Sequence, residues 1–309
     1  MTEKTPNVRD IIRPTTLIEP RRLESHLGLS LRIASETFQH TGSFKFRAAY
    51  NLTAQIEGRK ILTASSGNFG QALAYACKLL GKEAIIVMPE TSAQVKMEAV
   101  REHGGRVEPV DVNVKSRAER VAELAAENLD AVVASAYDDP RVIEGNATLG
   151  EELASRDFDV VVVPVGGGGL SSGILQGLRD SGNDRTQVVG AEPLLGNDAA
   201  RSLRAGHIVK NDKEPATIAD GARTVSLGEN NWAILKDGLE TIVEVPEQRI
   251  VEAVRLLFSR ANLKAEPTGA LSLGALLTEP ELFRDRSVCC VVTGGNVDPG
   301  VYRDLLASD

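Results

Sequence analysis

The sequence predicts an α/β protein built from two open, twisted, mostly parallel sheets covered by helices. Short β-branched apolar runs alternate with helix-period segments almost from end to end, and that alternation is the pattern of βαβ units in a parallel sheet. Some of the strands are unbroken apolar runs, such as Val160-Val-Val-Val-Pro-Val165, which fits strands buried on both faces.

In chain order, a strand is expected over 60–64, a helix over 69–80, a strand over 84–88, a helix over 93–103, a strand over 107–110, a helix over 116–128 and a strand over 131–135. Each strand is a short apolar run, and each helix shows the 3.6-residue spacing of an amphipathic face. The second half continues with a helix over 142–154, a strand over 160–165, a helix over 170–179 and strands over 188–191 and 241–245. Helices over 247–261 and 269–277 and a strand over 288–293 complete the series. The stretch 205–231 has no clear period, carries Gly206, Pro215, Gly221 and Gly228, and is too long for a routine connection. It is a surface excursion or part of a site.

At 309 residues, 42% hydrophobic and 25% charged, the chain can bury one large core or two medium ones. It shows no internal repeat and no low-complexity tract. A net charge of −8 and 4% aromatic residues argue against a nucleic-acid surface, which needs cations and stacking platforms. No run reaches 18 uncharged apolar residues and the polar N-terminus has no apolar stretch behind it, so neither a membrane span nor a signal peptide is expected. The expected location is cytoplasmic. Cys77, Cys289 and Cys290 form no C-x-x-C and read as reduced, mostly buried thiols.

Three segments carry chemistry. In the first, the strand ending at Val165 runs into Gly166-Gly167-Gly168-Gly169 and then at once into a helix. Backbone N–H groups there can converge on a phosphate at the positive end of the helix. The bland reading is a tight strand-to-helix turn. Neither a G-x-G-x-x-G nor a G-x-x-x-x-G-K-[S/T] pattern is present. Gly169-Leu-Ser171-Ser-Gly173 does satisfy G-x-S-x-G, so a serine hydrolase using Ser171 is a remote alternative, with His207 as the sole downstream histidine. The second segment, Ser65-Ser66-Gly67-Asn68, is a polar turn opening a helix, suited to a carboxylate or serving as a plain capped loop. In the third, Lys45 stands between Phe44 and Phe46 beside Gly42. An amine in partly apolar surroundings turns neutral and nucleophilic; alone, Lys45 also reads as a snorkelling surface lysine.

Together with Thr217-Ile-Ala-Asp220-Gly221, Glu266-Pro-Thr-Gly-Ala270 and Thr293-Gly-Gly-Asn296, these segments resemble in order and spacing the serine/threonine dehydratase and serine racemase family. That family comprises pyridoxal-phosphate enzymes of the β-elimination fold type, fold type II, similar to the tryptophan synthase β chain. The resemblance runs from about Arg13 to Asp298. It implies a large cofactor-binding domain from 1–59 and 137–309 and a small domain from 60–136, with pyridoxal 5'-phosphate between them.

Residue roles follow from the resemblance. Lys45 matches the Schiff-base lysine, which also removes the Cα proton, and Ser66 matches the acid/base on the opposite face. Gly166, Gly167, Gly168 and Gly169 match the phosphate site, Asn68 the contact to the ring hydroxyl, Phe44 the ring's flank and Thr293 the partner of the pyridine nitrogen. Ser65, Ser66 and Asn68 would hold the substrate carboxylate, and Arg117 and Thr224 resemble a distal carboxylate site. Phe69, Tyr137 and the Gly145-Asn146-Ala147-Thr148 stretch depart from the pattern and bear on the substrate.

The implied activity is an ammonia-lyase acting on L-threonine, L-serine or a similar β-hydroxy amino acid, with serine racemization and 3-hydroxyaspartate dehydration as alternatives on the same scaffold. A homodimer is expected. Glu192, the Gly196 carbonyl and Asp198 are spaced so that a compact turn aims hard oxygen donors at one point, a set suited to Mg²⁺ or Ca²⁺, and the resemblance places a metal there. The competing reading makes Asp198 a helix N-cap.

Overall fold

The computed structural model describes residues 6–307 apart from Ser66 and Ala93. Ten strands are present among the described residues: β1 (Thr16–Ile18), β2 (Ser30–Ser35), β3 (Lys60–Ala64), β4 (Glu83–Pro89), β5 (Arg106–Val110), β6 (Ala131–Val133), β7 (Val160–Pro164), β8 (Gln187–Pro193), β9 (Leu239–Val245) and β10 (Ser287–Val292). They form a six-stranded sheet, β1-β2-β10-β7-β8-β9, and a four-stranded sheet, β5-β4-β3-β6. Every pairing is parallel except that of β1 with β2. The fold is thus the expected α/β arrangement of two mostly parallel sheets.

Strand side chains alternate between two buried faces. Val160 and Val162 enter a core with Leu271, Val254 and Leu257 of the helices Pro267–Thr278 and Glu247–Ala261. Val161 and Val163 enter another with Leu149, Ile174 and Leu178 of the helices Pro140–Ala154 and Gly169–Asp180. The neighbouring thiols Cys289 and Cys290 split the same way. Both are buried and free, and burial pushes Cys289 up to about 12, which keeps it protonated and inert. Among the described residues no helix is long and apolar enough to cross a membrane.

β1, β2 and the helix Lys45–Gln55 have no counterpart in the sequence reading. β1 is a three-residue edge strand, and β2 contains Arg32, which ion-pairs with Glu19 and Glu24 and breaks the apolar run. In the helix Lys45–Gln55, Arg47, Asn51 and Thr53 are buried alongside Phe46, Tyr50 and Leu52, so no polar face marks its period. Arg47 is its anchor: its guanidinium donates to Glu36 at 2.8 and 2.9 Å, to Glu152 at 2.7 Å and to Thr148 at 3.0 Å. Burial opposes that charge, but the two carboxylates outweigh it and hold the group charged.

Two close approaches set the height of the glycine loop. A Cβ on Gly177 would lie 2.1 Å from the Ala147 carbonyl, and one on Gly150 2.4 Å from the Ile174 carbonyl. The helices Pro140–Ala154 and Gly169–Asp180 therefore touch backbone to backbone, and the start of the second is fixed beneath β7.

Candidate active site

The C-terminal ends of β3, β7 and β10 deliver Ser65, Gly166 and Thr293 to one cavity of about 530 Å³, where ligands of open α/β sheets sit. Phe44, Lys45, Asn68, the four glycines of 166–169, Arg117 and Thr224 line it as well. The irregular stretch contributes Glu214, Asp220, Gly221 and Arg223, so it is part of the site. Ser66 lies outside the described residues.

Lys45 opens its helix directly after a tight turn in which Thr41 has φ 61° and Gly42 φ 72°. A threonine in the left-handed region stores strain, and the Asn296 amide, donating to the Thr41 carbonyl at 2.7 Å, helps to hold it. The Phe44 N–H donates to the Thr293 carbonyl at 3.0 Å, tying the turn to the end of β10. Lys45 Nζ donates to the Ala136 carbonyl at 3.3 Å and lies 4.9 Å from the Phe44 ring centroid and 5.8 Å from that of Phe69. Burial lowers its pKa to about 8, against a pull upward from Glu266. Modification of Lys45 by an amine-reactive reagent, followed by peptide mass spectrometry, is therefore expected to rise about tenfold per pH unit up to about pH 8 and then level off. An ordinary lysine keeps gaining to about pH 10.4.

The glycine loop is shaped for an anion. Gly168 has φ 94°, a conformation open to glycine, and the N–H groups of Gly167, Gly168, Gly169 and Leu170 donate to no acceptor among the described residues. They sit at the start of the helix Gly169–Asp180, where the helix dipole adds positive potential. A Cβ on Gly167 would fall 2.2 Å from the Tyr137 ring, which packs against the loop.

Opposite stands the start of the helix Asn68–Leu79. Ser65 Oγ accepts from the Gly70 N–H at 3.0 Å. Asn68 is oriented from both sides: its Nδ2 donates to Glu266 Oε1 at 2.7 Å, and its Oδ1 accepts from Asn296 Nδ2 at 2.9 Å. Glu266 falls within one of the motifs that carry the resemblance, but the sequence assigned it no role. It is buried, and burial followed by the Asp220 charge pushes its carboxyl up to about 8. Thr293 Oγ1 is buried without a partner, as are Ser43 Oγ and Thr224 Oγ1.

Two ion pairs join residues of the cavity wall, Arg117 with Glu214 and Lys96 with Asp220. Arg223 Nε donates to the Thr217 carbonyl at 2.8 Å. Glu214 and Lys96 read in sequence as ordinary surface charges, and Asp220, like Glu266, falls within a motif of the resemblance that assigns it no role.

The hydrolase alternative is corrected by the geometry. Ser171 is fully buried and its Oγ donates to the Gly168 carbonyl at 3.0 Å, so it offers no exposed nucleophile, while His207 is exposed beyond the helix Asp198–Ala205. Glu192 and Asp198 do meet, but it is Glu192 that caps this helix, accepting from the Ala199 and Ala200 N–H groups at 2.9 Å each. Asp198 Oδ1 accepts from Asn211 at 2.8 Å, whereas its Oδ2 is buried with no partner. Among the described residues no three His, Cys, Asp or Glu side chains cluster as a metal site.

The family model described as "Pyridoxal-phosphate dependent enzyme" matches residues 8–294. The chain is 37% identical to the L-threo-3-hydroxyaspartate ammonia-lyase of Pseudomonas sp, over 94% of this chain and 92% of that protein. It is 35% identical to the serine racemase of Mus musculus, over 94% and 89%. Among solved structures, the threonine deaminase of T.th. superposes with a TM-score of 0.88 at 37% identity, covering 94% of this chain and 95% of the other.

Proposed function

Because the chain belongs to the family of pyridoxal-phosphate-dependent enzymes, we propose that it is an ammonia-lyase that converts L-threonine or L-serine to a 2-oxo acid and ammonia. The observation that carries this reading is a single cavity lined by a buried amine, a row of free backbone N–H donors and an unpartnered neutral hydroxyl, Thr293 Oγ1, at the end of β10.

That set fits pyridoxal phosphate. Gly167 to Leu170 would hold its phosphate, Thr293 its ring nitrogen, Asn68 its ring hydroxyl, Phe44 its flank and Lys45 its aldehyde carbon. When bound, the cofactor supplies a carbonyl for the substrate amine and a ring that withdraws electrons from Cα. Lys45, poised near neutrality by burial, takes the Cα proton. Ser65, Asn68 and the N-terminus of the helix Asn68–Leu79 hold the substrate carboxylate. Thr293 would offer the ring nitrogen a neutral hydroxyl, where a carboxylate would hold a proton on it. Ser66 is assigned from the sequence alone as the acid/base of the opposite face. The division into a 1–59 plus 137–309 domain and a 60–136 domain, and a homodimeric state, belong to the same proposal.

A second reading, 3-hydroxyaspartate as substrate, is favoured by the relative from Pseudomonas sp and by Arg117 in the cavity wall. Against it, Arg117 and Lys96 are already neutralised by Glu214 and Asp220. The test is 2-oxo acid release by the cofactor-loaded protein from L-threonine, L-serine and L-threo-3-hydroxyaspartate. Faster release from either monocarboxylic substrate is the expected result. Preference for the dicarboxylate establishes the second reading, and release from none of the three overturns both.

The proposal extends to Mg²⁺ or Ca²⁺ at Glu192, Asp198 and the Gly196 carbonyl. Burial raises Asp198 to about 6, and burial together with the Asp198 charge raises Glu192 well above its usual value, so a cation held by the free Asp198 Oδ2 would relieve both. At a hundredfold excess over its dissociation constant an ion adds about 2.7 kcal/mol. Exhaustive chelation is thus expected to lower the melting temperature and Mg²⁺ to restore it, with Asp198→Asn insensitive to either. A wild-type melting temperature indifferent to chelator and ion would remove the metal.

A further inference from the structure

Two buried asparagines hold the glycine loop from behind. Asn231 lies in none of the motifs that carry the family resemblance, and Asn146 sits in the stretch where the resemblance departs from its pattern. We propose that Asn231 and Asn146 are positioning residues that turn the loop's N–H groups toward the cofactor phosphate; this rests on the reading of the glycine loop as the phosphate site.

In a trans peptide the C=O of one residue and the N–H of the next point in opposite directions, so a carbonyl drawn away from the cavity aims the following N–H into it. Asn231, fully buried on the helix Glu229–Leu235, donates through Nδ2 to the Gly167 carbonyl at 2.7 Å and to the Tyr137 carbonyl at 3.0 Å. The first bond directs the Gly168 N–H. The Gly167 carbonyl also accepts from the Gly228 N–H at 3.1 Å, the residue that precedes this helix. Asn146, on the helix Pro140–Ala154, donates to the Gly169 carbonyl at 3.0 Å and so directs the Leu170 N–H. Between them the Gly168 carbonyl accepts from Ser171 Oγ at 3.0 Å and from the Ser172 N–H at 2.9 Å, which directs the Gly169 N–H.

Neither asparagine is explained by its own satisfaction. Asn231 Oδ1 and Asn146 Oδ1 are both buried without a partner, a cost that an apolar residue of the same size would avoid. Both stand close to the loop and its helix: a Cβ on Gly168 would lie 2.9 Å from Asn231 Cβ, and one on Gly173 2.4 Å from Asn146 Cβ, so glycine at these positions is what lets the two asparagines approach. What the two side chains supply is their donors, and those donors meet the carbonyls that set the loop's orientation.

The experiment measures the dissociation constants of pyridoxal phosphate and of pyridoxal, which lacks the phosphate, for the cofactor-free protein and its variants. The readout is the constant for pyridoxal divided by that for pyridoxal phosphate, because a general loosening of the fold weakens both ligands alike. In Asn231→Ala and Asn146→Ala this ratio is expected to fall by about tenfold, the size of one hydrogen bond's worth of misdirection. Asn146→Gln, which keeps an amide donor, is expected to retain more of it than Asn146→Ala. Should Asn231→Ala fail to fold, Asn146→Ala and Asn146→Gln carry the test alone. A wild-type-like ratio in a folded alanine variant overturns the positioning role. A wild-type protein that binds both ligands equally overturns the phosphate reading itself, so the two failures are distinct.

Discussion

Replacing Lys45 with alanine is expected to lower 2-oxo acid release by at least about 10³-fold, the scale of losing a positioned acid/base together with the cofactor's attachment point. The visible absorbance of the cofactor-loaded protein should disappear with it. The fold should survive: the amine is fully buried, its charged form is disfavoured there, and its one hydrogen bond is a 3.3 Å contact to Ala136. Removing it leaves no stranded partner of comparable cost. Retained absorbance, or a rate within tenfold of the wild type, would remove Lys45 from the chemistry.

Arg47→Met should produce the largest loss of stability, about 3–5 kcal/mol, because it strands Glu36 as an unpaired buried carboxylate. Both partners of that pair have fully buried side chains. The measurement is the urea midpoint of the cofactor-free protein. Adding Glu36→Gln should recover much of the loss, since the double variant leaves no buried charge uncompensated. If the two substitutions simply add, the pair is not the source of the effect. Activity should fall too, because Arg47 ties the helix that begins at Lys45 to the segment after β2 and to the helix Pro140–Ala154.

The βαβ alternation was legible because β3, β4, β7, β8 and β10 are largely buried and their apolar runs stand out against amphipathic helices. β2 was not, since Arg32 interrupts it, and the helix Lys45–Gln55 was not, since Arg47 and Asn51 are buried against partners from distant elements and leave no polar face to mark the period. The site divides along the same line. A tetraglycine after a strand, or a lysine between aromatics, is a local signal. Glu266 against Asn68 spans 198 residues and Asn231 against Gly167 spans 64, and contacts of that kind have no local signature. The stretch 205–231 was flagged by its length and irregularity, but its charges acquire meaning only opposite Arg117 and Lys96 across the cavity.

The central claim is that pyridoxal phosphate is carried by the buried amine facing the glycine loop. Its most direct test is to load the protein with pyridoxal phosphate, reduce it with borohydride and map the modified peptide by mass spectrometry. The account predicts a single phosphopyridoxyl group on Lys45, absent from Lys45→Ala. A modification spread over surface lysines, or one centred on any other lysine such as Lys96, would contradict it.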